Sequence, residues 1–133
     1  MVNPFRTMVS DFAQLLTTVG ALEAMRRYYA NEVVVFENRE MARAGLAQCL
    51  AYETSALDAQ PRVPTIQLKK LAADEATGVA FLETIVRFTS EAGRPMRLEQ
   101  VAVQRWEAGK ITEERFYYEG YIDEGDPEEE DLD

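Results

Sequence analysis

The chain has 133 residues, the size of one domain, and its 47% hydrophobic content is too high for a disordered protein. The formal net charge of -10 disfavours binding to nucleic acid, which requires clustered Lys and Arg. We find no apolar run long enough to span a membrane, no apolar signal-peptide core, and only one cysteine, Cys49. The sequence therefore predicts a cytoplasmic protein that does not contact membranes and holds neither a metal nor another cofactor.

Most of the acidity lies at the C-terminus. Residues 123–133 hold eight of the 24 acidic residues, so the remaining chain, with sixteen acidic and fourteen basic residues, is close to neutral. A block of this kind has little to bury and usually stays solvated, although it could instead dock on a basic partner. We predict a single domain over residues 1–122 and an acidic, disordered tail over residues 123–133.

Three helices are predicted in the first half of the chain. Asn3 and Pro4 are typical of a helix start, and apolar residues then recur at three- and four-residue steps as far as Gly20. A second, short helix follows Gly20. A third covers residues 46–57, with Glu53 on its apolar side.

Strands are predicted in the rest of the chain. A β-branched run at residues 33–37 indicates a short strand, and residues 39–45 form a connection. Longer strands are expected at residues 65–71 and 78–89. Residues 96–121 read as a hairpin of two long strands with a tight turn at residues 107–110.

Side chains alternate across a strand, which divides each predicted strand into two faces. One face is apolar with a few uncharged polar groups and one acid, and it suits a concave surface covered by the helices. The other face mixes aliphatic side chains with charges of both signs. It carries an apolar stripe through which we expect a homodimer to form: Val79, Phe81, Ile85, Val101, Val103 and Tyr117.

The predicted fold class is therefore α+β, with a strongly curved, mostly antiparallel sheet wrapped around three N-terminal helices. Such a sheet leaves a cone with one open end. A concavity of this kind is a natural site for a small molecule.

The order of elements and two short motifs resemble the nuclear transport factor 2-like superfamily (cystatin-like fold), and within it the SnoaL-like polyketide cyclase branch. Residues 29–35, YANEVVV, are similar to the start of the first strand in that family, and residues 106–118, WEAGKITEERFYY, to its closing hairpin. The likeness covers about residues 5–121. It implies the α+β cone but does not fix function, because this fold hosts isomerases, cyclases, hydrolases, dehydratases, transport factors and inert binders.

The resemblance also suggests positions for catalytic groups. In the ketosteroid isomerase branch a carboxylate at the end of the first strand is the general base, and Glu37 occupies that place here. The two proton donors of those enzymes correspond to Ala13 and Ala102, and the acid of many SnoaL-like relatives corresponds to Gln100. None of these three side chains supplies a proton at neutral pH, and the chain contains no histidine.

Glu37 and Glu114 are the candidate catalytic residues. Burial in the cone wall should raise the pKa of Glu37 and make it a better base; the alternative is an ion pair with Arg39 or Arg43 at the rim. Glu114 would be costly without a partner in an apolar cone. We expect it to accept a hydrogen bond from a neighbouring side chain or from a ligand.

The partners considered for Glu114 are Gln100, Gln104 and Tyr118. The candidate ligand-binding residues share the inner face or the predicted cone wall: Tyr118, Gln100, Thr84, Phe116, Tyr29 and Trp106. For Trp106 a core position is the alternative. Together these residues predict binding of a small hydrophobic, oxygen-bearing molecule, either by a cofactor-free acid–base isomerase or cyclase or by a non-catalytic dimeric ligand-binding or interaction module.

Overall fold

The computed structural model describes residues 3–125. Its three helices are α1 (Pro4–Thr18), α2 (Ala21–Tyr28) and α3 (Leu46–Asp58). Its strands are β1 (Tyr29–Glu37), β2 (Glu40–Ala44), β3 (Thr65–Asp74), β4 (Val79–Thr89), β5 (Pro95–Glu107), β6 (Lys110–Tyr117) and β7 (Tyr121–Asp123). Within this part of the chain, no helix is both long and apolar enough to cross a membrane.

All seven strands join one curved, open sheet in the order β2-β1-β6-β5-β4-β3, and β7 pairs with the first residues of β5. The pairings are antiparallel except that of β1 with β6, which is parallel. Helices α1 and α3 pack against β3 and β1, respectively, while α2 contacts both helices. The predicted α+β cone is thus confirmed.

The start of α1 follows from its sequence. The side chain of Asn3 accepts hydrogen bonds from the backbone N–H groups of Phe5 and Arg6, and Pro4 occupies the first turn, where no N–H partner is needed. At the corner between α1 and α2, Gly20 has φ of 138°, a value that favours glycine. Both features agree with the predicted helix boundaries.

A bulge in the closing hairpin decides which residues face the helices. The pairing of β5 with β6 shifts register between Arg105 and Trp106, so that Trp106 lies opposite Ile111 and Gln104 opposite Glu114. Ile111 and Glu114 are therefore both buried, although strict alternation would place them on opposite faces. The bulge brings an acid and the hydrophobic core to the same side of the sheet.

Two strands were not predicted. Residues 40–44, expected to be a connection, form β2 by antiparallel pairing with β1, because the tight turn at Asn38 returns the chain alongside the strand it has just left. The last predicted strand ends at Tyr117, not Tyr121, and a separate strand, β7, begins at Tyr121. Residues 40–44 contain no β-branched residue, and β7 is only three residues long.

The acidic tail begins later than predicted. Asp123 belongs to β7 and forms an ion pair with Arg94, and Glu124 forms ion pairs with Arg87 and Arg97. These contacts neutralise charge at the end of β7. Two of the eight acidic residues of the predicted tail therefore belong to the folded domain. Residues 126–133, the rest of the predicted tail, lie outside the described residues.

The turn between β5 and β6 contains one unfavourable backbone conformation. Ala108 and Gly109 have φ of 51° and 77°, as a type I′ turn requires at both central positions. Glycine adopts this conformation freely, whereas alanine pays a steric cost. We predict that Ala108→Asn raises the free energy of unfolding by about 0.5–1 kcal/mol, measured by urea denaturation, because Asn-Gly is the preferred pair in such turns.

Ala108→Val is the matched control for this exposed site, and it should lower the free energy of unfolding because a β-branched side chain tolerates positive φ poorly. A less stable Asn variant would contradict the assignment of the turn.

Candidate functional site

The helices and the concave face of the sheet enclose a cavity of about 740 Å³, within the usual size range for small-molecule sites. Its wall is mostly apolar, and the apolar lining includes Phe12, Leu16, Met25, Leu57, Leu82, Val86, Phe88, Leu98, Ala102 and Phe116. Polar side chains reach it from several sides, and Thr17, Thr18, Glu23 and Arg26 line it from α1 and α2. Tyr29, Thr84, Gln100 and Glu114 come from the sheet, and Glu53 and Gln60 come from α3 and the residues that follow it.

Glu114 is the acid at the sheet side of this cavity, and its side chain is held by two donors. Its exposed fraction is 2%, and register places it between Val35 of β1 and Gln104 of β5. The hydroxyl of Tyr29 donates to Glu114 Oε1, and Gln104 Nε2 donates to Glu114 Oε2 at 2.7 Å. Of the three side chains considered as partners, Gln104 is the one that bonds to Glu114, and Tyr29 is a partner that the sequence did not indicate.

A third hydrogen bond fixes the orientation of Gln104. Trp106 Nε1 donates to Gln104 Oε1 at 3.0 Å, and indole nitrogen can only donate. The amide nitrogen of Gln104, which has an exposed fraction of 0%, must therefore face Glu114. Trp106, Gln104, Glu114 and Tyr29 form a continuous buried chain of hydrogen bonds, which we call the buried chain.

Burial raises the pKa of the Glu114 carboxyl, and the hydrogen bonds from Gln104 and Tyr29 and the charge of Arg43 oppose this shift without cancelling it. The pKa of the Tyr29 hydroxyl is also raised, by burial first and then by the adjacent Glu114. Tyr29 therefore stays a neutral donor. A carboxylate with a raised pKa is a stronger base than an exposed one.

Glu37 has a different environment from the one predicted. Arg43 donates to Glu37 Oε2 at 2.7 Å, and Tyr118 donates to Glu37 Oε1 at 2.6 Å. Burial alone would raise the pKa of Glu37, but the hydrogen bonds from Tyr118 and Arg43 and the positive charge of Arg43 outweigh it and lower the pKa. The expected upward shift is thus wrong, and the alternative ion pair with Arg43 is the one observed.

Arg43 is itself tightly held. Its guanidinium lies over the ring of Tyr52, 4.1 Å from the ring centroid, and its pKa is raised because the contacts with Glu37 outweigh the effect of burial. The Tyr118 hydroxyl, which donates to the same carboxylate, has its pKa raised to about 12. Glu37, Arg43 and Tyr118 form an ion-pair cluster whose acid stays ionised.

Thr84 and Gln100 form a second polar feature of the sheet wall. They lie directly opposite each other on β4 and β5, and both line the cavity. Neither side chain makes a hydrogen bond to another residue of the described part of the chain. The pair therefore has an uncharged hydroxyl and an uncharged amide free to bind a ligand oxygen.

The other predicted site residues are divided between cavity and core. Phe116 and Tyr29 line the cavity, whereas Trp106 packs edge-on against Phe5 and Phe12 in the core and is not part of the cavity wall. Glu37 and Tyr118 also lie outside the cavity lining. Strand parity identified the cavity residues of β4 to β6, but the end of β6 at Tyr117 removed Tyr118 from that pattern.

Glu53 and Gln60 were not predicted as site residues. Glu53 occupies the apolar side of α3, and an acid at such a position was the available signal. Gln60 follows the helix, in a segment that carries no periodic pattern. Gln60 could be assigned to the cavity only from the structure, in which the segment after α3 forms part of the cavity wall.

The buried chain yields a stability prediction. Gln104→Met keeps the shape of the side chain but leaves Trp106 Nε1 and Glu114 Oε2 without partners, so the free energy of unfolding should fall by about 2–4 kcal/mol. Gln100→Met is the matched control on the same strand and should change it by less than about 1 kcal/mol. Urea unfolding of both variants measures the difference, and equal costs would contradict the arrangement.

Residues 9–114 match the family model of the SnoaL-like domain. A search of curated proteins finds no match.

Solved structures of similar fold cover most of the chain. A candidate SnoaL-like polyketide cyclase from Jannaschia sp. CCS1 is 12% identical, with a TM-score of 0.74 and 90% of each chain covered. A nuclear transport factor 2-like protein of unknown function from Burkholderia xenovorans LB400 is 14% identical, with a TM-score of 0.65 over 97% of this chain and 92% of that one.

A third structure, a hypothetical protein from Catenulispora acidiphila DSM 44928 with a ketosteroid isomerase-like fold, was determined in complex with trimethylamine. It is 16% identical, with a TM-score of 0.66 over 88% of this chain and 87% of that one. At these identities the structures share the fold alone. The family match covers most of the chain, and the protein therefore belongs to the SnoaL-like domain family.

Proposed function

We propose that the protein binds a small apolar carbonyl compound in the cone and moves a proton on it without a cofactor, as an isomerase or cyclase would. The observation that carries this proposal is Glu114, a buried carboxylate of raised pKa on the wall of a mostly apolar cavity. Carboxylates in such surroundings serve as general bases because burial strengthens them.

Glu114 is the proposed base. Each of its oxygens accepts one hydrogen bond from the buried chain, and each retains a further lone pair. The fixed donors hold the carboxylate in one orientation. A C–H bond beside the ligand carbonyl would lose its proton to Glu114, and the electron pair would move onto the carbonyl oxygen as an enolate.

Thr84 and Gln100 are proposed to hold that oxygen. Both can donate a hydrogen bond, and neither carries a charge that would have to be buried. Gln100 is four residues from Gln104, the partner of Glu114. At about 3.4 Å per residue, the backbones of Gln100 and Gln104 are about 14 Å apart. The two side chains extend into that span, so a carbonyl oxygen held by Gln100 and the C–H bond beside it can lie between them.

Glu37 is not proposed as the base. Its pKa is lowered, its two oxygens are held by Arg43 and Tyr118, and it lies outside the cavity lining. We propose instead that it anchors the open end of the sheet through the ion-pair cluster. Trp106 is proposed to orient Gln104 and not to contact the ligand.

A non-catalytic binding protein is the second candidate. It is favoured by the fact that both oxygens of Glu114 already have donors, as in a buried network whose role is only structural. In that case the cavity binds the same class of ligand, and Glu114 takes no proton.

Deuterium exchange into 2-tetralone, an apolar bicyclic ketone with acidic C–H bonds, distinguishes the two candidates. The wild-type protein should accelerate exchange in D2O, followed by proton NMR, and Glu114→Gln should lower the rate by a factor of about 100 or more. The rate should rise with pH as Glu114 ionises, with a midpoint above the ordinary Glu value of about 4.3, because its pKa is raised.

Glu113→Gln is the matched control, one residue away on β6 and paired with Arg105 on the opposite face; it should exchange at the wild-type rate. Tyr29→Phe removes a hydrogen bond that lowers the pKa of Glu114, so the midpoint should move to higher pH. Binding of 2-tetralone with no accelerated exchange would reject catalysis and leave the second candidate.

We also propose that two copies pair through the outer face of the sheet. Phe81, Val101 and Tyr117 are exposed there by 43%, 38% and 50%, respectively, and register places Val101 opposite Tyr117. Glu83 lies beside Val101 in the neighbouring strand. A two-fold axis through such a surface would bury the apolar side chains against their own copies.

Val101→Asp should weaken the dimer by at least a factor of about ten, because it places charges at the centre of the interface. Sedimentation equilibrium measures the association constant. Thr54→Asp, an equal change of charge on the exposed side of α3, should leave it unchanged. A wild-type protein that sediments as a monomer, or a dimer insensitive to Val101→Asp, would contradict the proposal.

A further inference from the structure

The helix side of the cavity has its own polar groups, which the proposed reaction does not use. Glu53, Ala56, Leu57 and Gln60 line the cavity from α3 and its exit. Glu53, Ala56 and Leu57 lie three and four positions apart on one face of α3, and Gln60 follows the end of that helix. This wall of the cavity is therefore apolar in the middle and polar at both ends.

Gln60 has an unsatisfied acceptor. Its side-chain Oε1 is buried and has no hydrogen-bond partner among the described residues. Buried amide oxygens in folded proteins are nearly always paired, because an unpaired one has lost its hydration without compensation. An orphan acceptor on a cavity wall therefore indicates a donor supplied by whatever occupies the cavity.

Glu53 is the second acceptor on this wall. It lines the cavity, and its carboxyl makes no hydrogen bond to the described residues. Burial raises the pKa of this carboxyl, and the charge of Arg43 only partly opposes the shift. The wall thus combines an amide oxygen with a carboxyl that is easily neutralised, which suits a neutral hydroxyl better than a cation.

We propose that Glu53 and Gln60 form a subsite that accepts a hydrogen bond from a hydroxyl group of the ligand, so that the ligand class is an apolar hydroxyketone. This inference rests on the proposed function, in which Thr84 and Gln100 hold the carbonyl at the sheet wall. The two walls then bind opposite ends of one molecule. The apolar residues between them contact its rings.

The test compares two probes that differ by one hydroxyl group, 2-tetralone and 6-hydroxy-2-tetralone, which carries the hydroxyl on the ring distant from the carbonyl. Dissociation constants are measured by NMR titration for the wild-type protein. The hydroxylated probe should bind about tenfold more tightly, the factor expected from one buried hydrogen bond.

Gln60→Met and Glu53→Met keep the approximate size of each side chain and remove its acceptor. At least one of them should abolish the preference for the hydroxylated probe while 2-tetralone still binds. Gln14→Met, on the exposed surface of α1, is the control and should keep the wild-type preference. The readout is a ratio of affinities, which a general loss of stability would not alter.

Equal binding of the two probes by the wild-type protein, or a preference retained in both acceptor variants, would overturn the subsite while leaving the proposed function in place. Failure of the wild-type protein to bind either probe would overturn the proposed function and the subsite together.

Discussion

A buried carboxylate must have hydrogen-bond donors, and this requirement organises the inner face of the molecule. Glu114 faces the core by the regular alternation of β6, the bulge in the β5–β6 hairpin turns Ile111 to the same side, and the cost of burying the acid is offset by Tyr29 and Gln104. Gln104 is oriented in turn by Trp106. The other donor in the buried chain, Tyr29, lies at the start of β1. Glu114 of β6 is therefore connected by a hydrogen bond to the first strand of the sheet.

The pKa values of two glutamates on neighbouring strands are shifted in opposite directions by their surroundings. The pKa of Glu37 is lowered because a guanidinium and a hydroxyl both donate to it, whereas the pKa of Glu114 is raised because burial exceeds the effect of its neutral donors. This difference separates Glu37, whose ionised form is favoured by the ion-pair cluster, from Glu114, whose neutral form is favoured by burial. One fold thus supplies a structural acid and a candidate base from the same residue type.

Hydrophobic periodicity, the Asn3-Pro4 cap and the parity of the long strands were enough to predict the cone and the inward direction of Glu114. Parity could not identify Tyr29 as its donor, because that contact joins residues 85 positions apart. Strand parity also assigned Tyr118 to the last strand of the hairpin, but β6 ends one residue earlier, at Tyr117. The direction of the pKa shift of Glu37 depends on Arg43. Arg43 lies on β2, a strand that was not predicted because its sequence lacks β-branched residues. Glu53 and Gln60 could be identified as cavity residues only from the structure, which shows the cavity that they line.

The most direct test of the central claim is the ionisation of the individual glutamates, followed by carbon-detected NMR of the side-chain carboxyls during a pH titration. The buried chain predicts that Glu114 titrates above the ordinary Glu value of about 4.3 and that Glu37 titrates below it. If Glu114 titrated at or below the ordinary value, it would not lie in the dry, hydrogen-bonded position described, and the account of the site would be wrong.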